Sequence, residues 1–281
     1  MRLPRGYEVL TQEQVAQFQE NGFLRIPQVF SPEEMDRLET DLQFVIETWC
    51  EETIGWTGPW RRALMDEETE KKSKLVSIHG IQYYSDAWLR AVTKPDLVEA
   101  ISQLIGCPNI EFHHTTLHDK PPGSGHPFPM HQDFAFYEHT NDHYVDVLVH
   151  LDDTCHANGE IRFLEGSHKL GYLDHIREFE GIPCTPQLST EEYRLADSVS
   201  VPAKRGDVVC FNVLTVHGSY INTTDKPRRM VRIGYRDPEN LQLTGEGVGT
   251  PGLMVRGIRH RLPNQPALNP YFGDFKLEAA R

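Results

Sequence analysis

His131 and Asp133, separated only by Gln132, are the residues of this chain best placed to do chemistry. On an extended strand, side chains at i and i+2 point to one face, so an imidazole and a carboxylate converge there while Gln132 turns away. These are two-thirds of a facial 2-His-1-carboxylate set, which holds Fe(II) and leaves coordination positions open. The third ligand must come from another strand of the same barrel, near its open end. His217 fits best: it follows the apolar Val213 and Leu214, stands before Gly218 and Ser219, and precedes the basic residues Arg228 and Arg229. A lone histidine in such a place is ordinarily structural. Its company with His131 and Asp133 makes it the ligand candidate.

Such residues need a scaffold, and the chain supplies helices first and strands later. Thr11 with Gln14 three residues on forms a capping box, and Asn21-Gly22 ends the helix it starts. A short alternating strand over 23–27 follows. Ser31-Pro32-Glu33-Glu34 then opens a helix of four to five turns whose apolar face carries Met35, Leu38, Leu42 and Ile46. Residues 55–73 read as an irregular surface region with a helical turn, and Pro95 opens another helix that stops at Gly106. Beyond residue 107 the period shortens to two. Strands are expected over 110–118, 144–151, 160–164, 207–211 and 229–235, with Asn158-Gly159 as a strong turn signal. Helices followed by many short strands, without βαβ alternation, point to an all-β barrel or jelly roll, cupin-like, under a helical N-terminal layer. The boundaries are 1–106 for the mostly helical layer, 107–236 for the β core and 237–281 for a C-terminal segment, all in one domain of 281 residues.

The composition is that of a globular protein, 38% hydrophobic and 25% charged. A net charge of -13 argues against nucleic-acid or anionic-membrane partners, though a local basic pocket could still take an anion. The first residues lack the apolar run of a secretory leader, and no later run approaches the ~18 apolar residues of a membrane span. The five cysteines are odd in number, scattered and without a C-x-x-C pair, as expected of reduced thiols in a cytoplasmic protein. Oligomeric state is not legible.

Taken together, the segment from His114 through Lys120-Pro121-Pro122, the run Pro129-Met130-His131-Gln132-Asp133, Asn158-Gly159 with Gly166-Ser167-His168, and His217-Gly218-Ser219 with Arg228 resemble the phytanoyl-CoA dioxygenase family in order and spacing. Asn21-Gly22-Phe23 belongs to the same pattern, so the resemblance runs over roughly residues 9–236. It implies a double-stranded β-helix that uses Fe(II), 2-oxoglutarate and O₂. It also implies His131, Asp133 and His217 as iron ligands and Arg228 as the partner of the distal carboxylate of 2-oxoglutarate. A planar guanidinium suits that task through paired charge-assisted hydrogen bonds; Ser219 can add a third, and Arg229 should face the other way. Thr116 matches a cosubstrate-contacting position, with a barrel-wall role as its alternative. Related halogenases carry a small residue in place of the carboxylate ligand, so Asp133 favours oxygen transfer over halide transfer.

The expected reaction is hydroxylation of an unactivated C–H bond in a small molecule or a carrier-linked acid, with 2-oxoglutarate converted to succinate and CO₂. The alternative is a non-oxygenase cupin-like metal protein, either a zinc hydrolase or isomerase or a small-molecule binder. Other conspicuous residues have plainer readings. His168 is expected to be structural or to support a ligand. His113, His114 and His118 are expected to pack the barrel or line the pocket, because His114 and His118 lie four strand rises apart and cannot chelate one ion. Phe134, Phe136 and Tyr137 read as core, although Ala135 and Tyr137 share the ligand face and are candidates to line the cavity. In the tail, Met254, Arg256, Arg259, His260 and Arg261 are a candidate anion-binding lid, with packing on the helical layer as the alternative.

Overall fold

The computed structural model describes residues 9–245, 248 and 252–260. Helix α1 (Gln12–Asn21) has the predicted capping box at Thr11 and ends at Gly22 in the left-handed conformation, φ 86°. It hands the chain to β1 (Phe23–Ile26), and Ser31 caps α2 (Pro32–Trp49). Met35, Leu38 and Leu42 of α2 are buried as expected, with Val45 rather than Ile46 completing the fully buried stripe.

The stretch that looked irregular is more regular than its sequence suggests. It holds β2 (Glu52–Thr53), α3 (Arg61–Leu64), α4 (Glu67–Lys72) and β3 (Leu75–His79), followed by α5 (Asp86–Val92) and α6 (Pro95–Ile105). The N-terminal layer therefore holds two strands, β2 and β3, beyond the expected one at β1. β2 and β3 are short and carry mixed side chains because their partners, not their own periodicity, decide their state.

The remaining strands are β4 (Ile110–Lys120), β5 (Phe128–His131), β6 (Tyr144–His150), β7 (Arg162–Phe163), β8 (Ile176–Phe179), β9 (Ile182–Gln187), β10 (Val199–Ser200), β11 (Val208–Asn212), β12 (His217–Ser219), β13 (Arg228–Arg236) and β14 (Leu253–Arg256). Eight of the described strands form one sheet, in the order β1-β11-β6-β13-β4-β3-β2, with β14 pairing the first residues of β4, which β3 does not reach. A second sheet runs β10-β7-β12-β5, and β8 with β9 makes a separate hairpin. This is the expected double-stranded β-helix, a jelly roll with one large and one small sheet.

The large sheet has two different faces. Leu117, Val147, Val149, Val231 and Ile233 join Leu38, Trp88 and Ile101 of the helices in one apolar core. The alternate residues Thr116, His118 and Lys120 stand opposite Arg232, Met230 and Arg228 in the β4–β13 register and look toward the small sheet. Because the helices cover one face and the small sheet the other, every residue of β6 is buried, although its sequence alternates apolar and polar. Among the described residues no helix is long and apolar enough to cross a membrane.

Candidate active site

β5 and β12 are antiparallel neighbours, and His131 and His217 stand directly opposite one another in that pairing. Asp133 follows two residues after His131. It is not on the strand as expected: the chain stays extended only through Gln132, and Asp133 opens a short 3₁₀ turn, 133–135. The convergence survives because Gln132 is held in place from outside. Its amide donates to the carbonyls of Gly171 and Leu214 at 2.8 and 2.7 Å, and its oxygen accepts from Leu173 N at 2.8 Å. The turn does break the period of two beyond Asp133, so Phe136, expected in the core, lines the cavity beside Tyr137.

The two rings are fixed in one tautomer. His131 Nδ1 lies 2.8 Å from the Pro129 carbonyl and His217 Nδ1 lies 2.9 Å from that of Thr215. A carbonyl only accepts, so each Nδ1 carries the proton and each Nε2 keeps its lone pair for a metal. Asp133 Oδ1 is 3.4 Å from His131 Nε2 and 3.8 Å from His217 Nε2. The three candidate ligand atoms lie within 4.8 Å of one another, and all three residues are buried. Burial and the neighbouring His131 push the His217 imidazole down to about 3, which keeps it neutral. Burial works against the Asp133 carboxylate, but Arg232 and the two histidines overcome it and hold the group well below its usual range. The donor set, two imidazoles with their Nδ1 atoms engaged and one carboxylate on one side of a cavity, fits Fe(II).

Arg232 was not singled out by the sequence. Its guanidinium donates to Asp133 Oδ2 at 2.5 Å and to the Tyr137 hydroxyl at 2.7 Å, and it reaches His114 Nε2 at 2.9 Å. Arg232 therefore occupies Oδ2 of Asp133 and leaves Oδ1 beside the Nε2 atoms of His131 and His217. A signal was available: Arg232 is four residues past Arg228 on one strand, and hence on its face.

Arg228 is fully buried in a narrow pocket beside the His131–Asp133–His217 group, together with Ser219. None of its three guanidinium nitrogens has a hydrogen-bond partner among the described residues. Burial lowers its pKa to about 10, so it stays charged at neutral pH. A buried guanidinium without an acceptor is costly unless a ligand supplies one, and a carboxylate fits it. Arg229 faces the other way and pairs with Asp152 and Glu39, as the strand period requires. Thr116 does not join this group. It lines a second cavity on the Arg232 side of the metal cluster, where its hydroxyl meets His79 Nδ1 at 3.2 Å.

That second cavity, about 450 Å³, opens over Asp133 and is lined by His79, Gln82, His113, His114, Trp56 and Tyr137 among others. His118 and Trp56 border both spaces. Burial drives His113 down to about 3 and carries His114 and His118 well below the usual histidine value, so these three line the cavity as neutral polar groups beside the Asp133–Arg232 ion pair. Trp56 comes from the stretch read as irregular surface. Its ring packs on His131 with centroids 4.6 Å apart, and nothing in its sequence context announces this. His168 is structural, its Nε2 3.1 Å from the Gln19 carbonyl. In the tail, Arg256 pairs with Glu99 of α6 and Arg259 with Glu111, and neither lines the cavity, so the lid has no support from them. Arg261 lies outside the described residues.

Residues 18–230 match the phytanoyl-CoA dioxygenase (PhyH) family. A "Probable alpha-ketoglutarate-dependent hypophosphite dioxygenase" from Stutzerimonas stutzeri is 29% identical, covering 96% of both chains. An ectoine dioxygenase from Bordetella parapertussis is 28% identical over 83% of this chain and 77% of its own. Among solved structures, EctD from S. alaskensis with 2-oxoglutarate and 5-hydroxyectoine has a TM-score of 0.64 at 21% identity, covering 90% of this chain and 86% of that one. The non-oxygenase alternative is not favoured by these relatives. The chain belongs to the phytanoyl-CoA dioxygenase family and is an Fe(II)- and 2-oxoglutarate-dependent dioxygenase.

Proposed function

We propose that this dioxygenase hydroxylates a C–H bond of a compact polar molecule, with His131, Asp133 and His217 as its iron ligands and Arg228 with Ser219 as the seat of the distal carboxylate of 2-oxoglutarate. The observation that carries the reading is Arg228, buried, charged and without a hydrogen-bond acceptor beside a cluster of three metal-ligating atoms. When bound, iron and 2-oxoglutarate supply the oxidising chemistry, in which O₂ gives one oxygen atom to succinate and one to substrate. The chain's own residues do the rest. Thr215 and Pro129 hold the imidazoles at one tautomer, and Arg232 keeps Asp133 on one oxygen, which leaves positions for the cosubstrate and O₂. Trp56 and Phe136 pack against His131 and shield that side from water.

Thr116 is assigned to the wall of the substrate cavity rather than to the cosubstrate. The cavity's size and its neutral histidine lining support a free small molecule over a carrier-linked acyl group. Small polar compounds are also named for the hypophosphite and ectoine relatives. The presence of Asp133 supports hydroxylation over halogenation. Five unpaired thiols support a reducing location, the cytoplasm.

The test is an anaerobic titration of the Fe(II) protein with 2-oxoglutarate, followed by the weak visible band of a chelated 2-oxo acid. Arg228→Ala is expected to weaken 2-oxoglutarate binding by about 100-fold through loss of two charge-assisted hydrogen bonds. Iron affinity should be unchanged. A variant that binds 2-oxoglutarate as the parent does would remove the assignment. Succinate release, screened across small polar compounds, then identifies the substrate.

A further inference from the structure

Lys120 is buried in the barrel, yet the dioxygenase chemistry described above gives it no role. Its Nζ donates to Ser219 Oγ at 2.7 Å and to the Tyr220 carbonyl, and it lies 5.2 Å from the centroid of the Phe128 ring. An ammonium has three N–H donors, and these three neighbours account for them. Lys120 therefore has none left for a ligand in the Arg228 pocket, and it does not line that pocket.

Its effect must pass through Ser219. A hydroxyl has one proton and two lone pairs. Lys120 takes one lone pair, and no acceptor for the Ser219 proton is found among the described residues. That proton is left to point into the pocket, where Arg228 presents unpartnered N–H groups. We propose that Lys120 is a positioning residue of the cosubstrate pocket: by occupying the Ser219 oxygen it commits the Ser219 O–H, alongside Arg228, to a dicarboxylate ligand. This rests on the reading of the Arg228 pocket as the 2-oxoglutarate site.

Two further observations fit. Burial and the charge of Arg228 pull the Lys120 ammonium well below its usual value, the mark of a buried region short of negative charge, which a dianionic ligand brings. The Asn158-Gly159 turn also acquires a reason. A Cβ on Gly159 would stand 2.4 Å from the Tyr220 oxygen and 2.9 Å from Lys120 Nζ, at φ +74°. Only glycine leaves room for the Lys120–Tyr220 contact.

The experiment is a double-mutant cycle with Lys120→Met and Ser219→Ala. Dissociation constants for 2-oxoglutarate and for 2-oxobutyrate, which lacks the distal carboxylate, are measured anaerobically on the Fe(II) protein. Lys120→Met is expected to weaken 2-oxoglutarate by about tenfold through loss of an oriented, charge-assisted donor, with 2-oxobutyrate binding unchanged. In the Ser219→Ala background the same substitution should have no further effect. Additive losses, or equal weakening of both 2-oxo acids, would overturn the proposal. If Lys120→Met does not fold, Lys120→Gln takes its place in the cycle with the same expected values. Failure of the parent protein to bind 2-oxoglutarate would instead strike at the reading of the pocket. A Lys120 variant that binds normally while Arg228→Ala does not would leave the pocket standing and remove only the role of Lys120.

Discussion

At the scale of single residues, the metal position depends on groups that never touch a metal. Arg232 holds the outer oxygen of Asp133, and in turn touches Tyr137, whose hydroxyl donates to Asp146 at 3.0 Å. Burial pushes the Asp146 carboxyl well above its ordinary value, and its Oδ1 lies 3.7 Å from Arg232 Nε, farther than the Asp133 contact. Replacing Arg232 with lysine keeps a cation but loses the planar fork that reaches Asp133, Tyr137 and His114 together. Fe(II) affinity, measured by chelator competition, should fall by about 10- to 100-fold, the range seen when outer partners of metal ligands are removed. An unchanged affinity would mean that Asp133 needs no such support. His131 and Asp133 were legible in the chain because their short spacing puts them on one face, whereas Arg228 was legible only through the family resemblance. Arg232 needed the strand register as well, and Trp56, with no period around it, needed the folded structure.

At the scale of elements, the turn between α1 and β1 is tied to the site. Gly22 O accepts from Asn212 N at 2.9 Å and from Thr215 Oγ1 at 2.8 Å, and the Thr215 carbonyl accepts from His217 Nδ1. The Asn-Gly-Phe sequence reads as punctuation, and it is, but the punctuation sets the loop that orients a candidate ligand. Gly22 has φ 86°, and a Cβ there would meet His168 Nδ1 at 2.5 Å and Thr215 Oγ1 at 2.6 Å. Gly22→Ala should therefore destabilise the protein by about 1–3 kcal/mol, the usual size of strain in this backbone region. Urea denaturation measures it, and a loss below the error of the extrapolation would show that the turn relaxes freely. Long periodic elements such as α2, α6 and β4 were readable because their own side chains decide them. β2 and β3 were not, since each depends on a partner distant in sequence; the β8–β9 hairpin, though local, was not because its largely exposed strands carry no apolar alternation.

At the scale of the whole molecule, the closed barrel buries many histidines in the neutral state, and this sets the response to acid. Burial lowers His126 to about 3 and His139, His150 and His175 to about 4. In the unfolded chain each returns to about 6.5. Between those values the unfolded state binds more protons, so the stability these groups contribute is complete above about pH 6.5 and is lost as pH falls toward 4. Asp119 acts in the opposite sense. Burial raises it to about 6, so its penalty, present at neutral pH, is relieved as pH falls through that value. Asp146, also raised by burial, acts in the same sense as Asp119, but the lowered imidazoles outnumber these two carboxyls. The melting temperature of the metal-free protein should decline across this window, and His150→Gln should make the decline shallower. A flat profile would show that these histidines are not held neutral.

The cross-strand pairing of His131 with His217 carries one more consequence. β12 joins β5 by only three residues and a bulge, so few backbone bonds hold the small sheet at that seam. An ion gripped by both rings acts there as a rivet between the strands, and it does so only in the folded chain. On the proposed ligand assignment, iron supply would govern persistence as well as turnover: a cell short of iron would hold a protein that is idle and also easier to unfold and degrade.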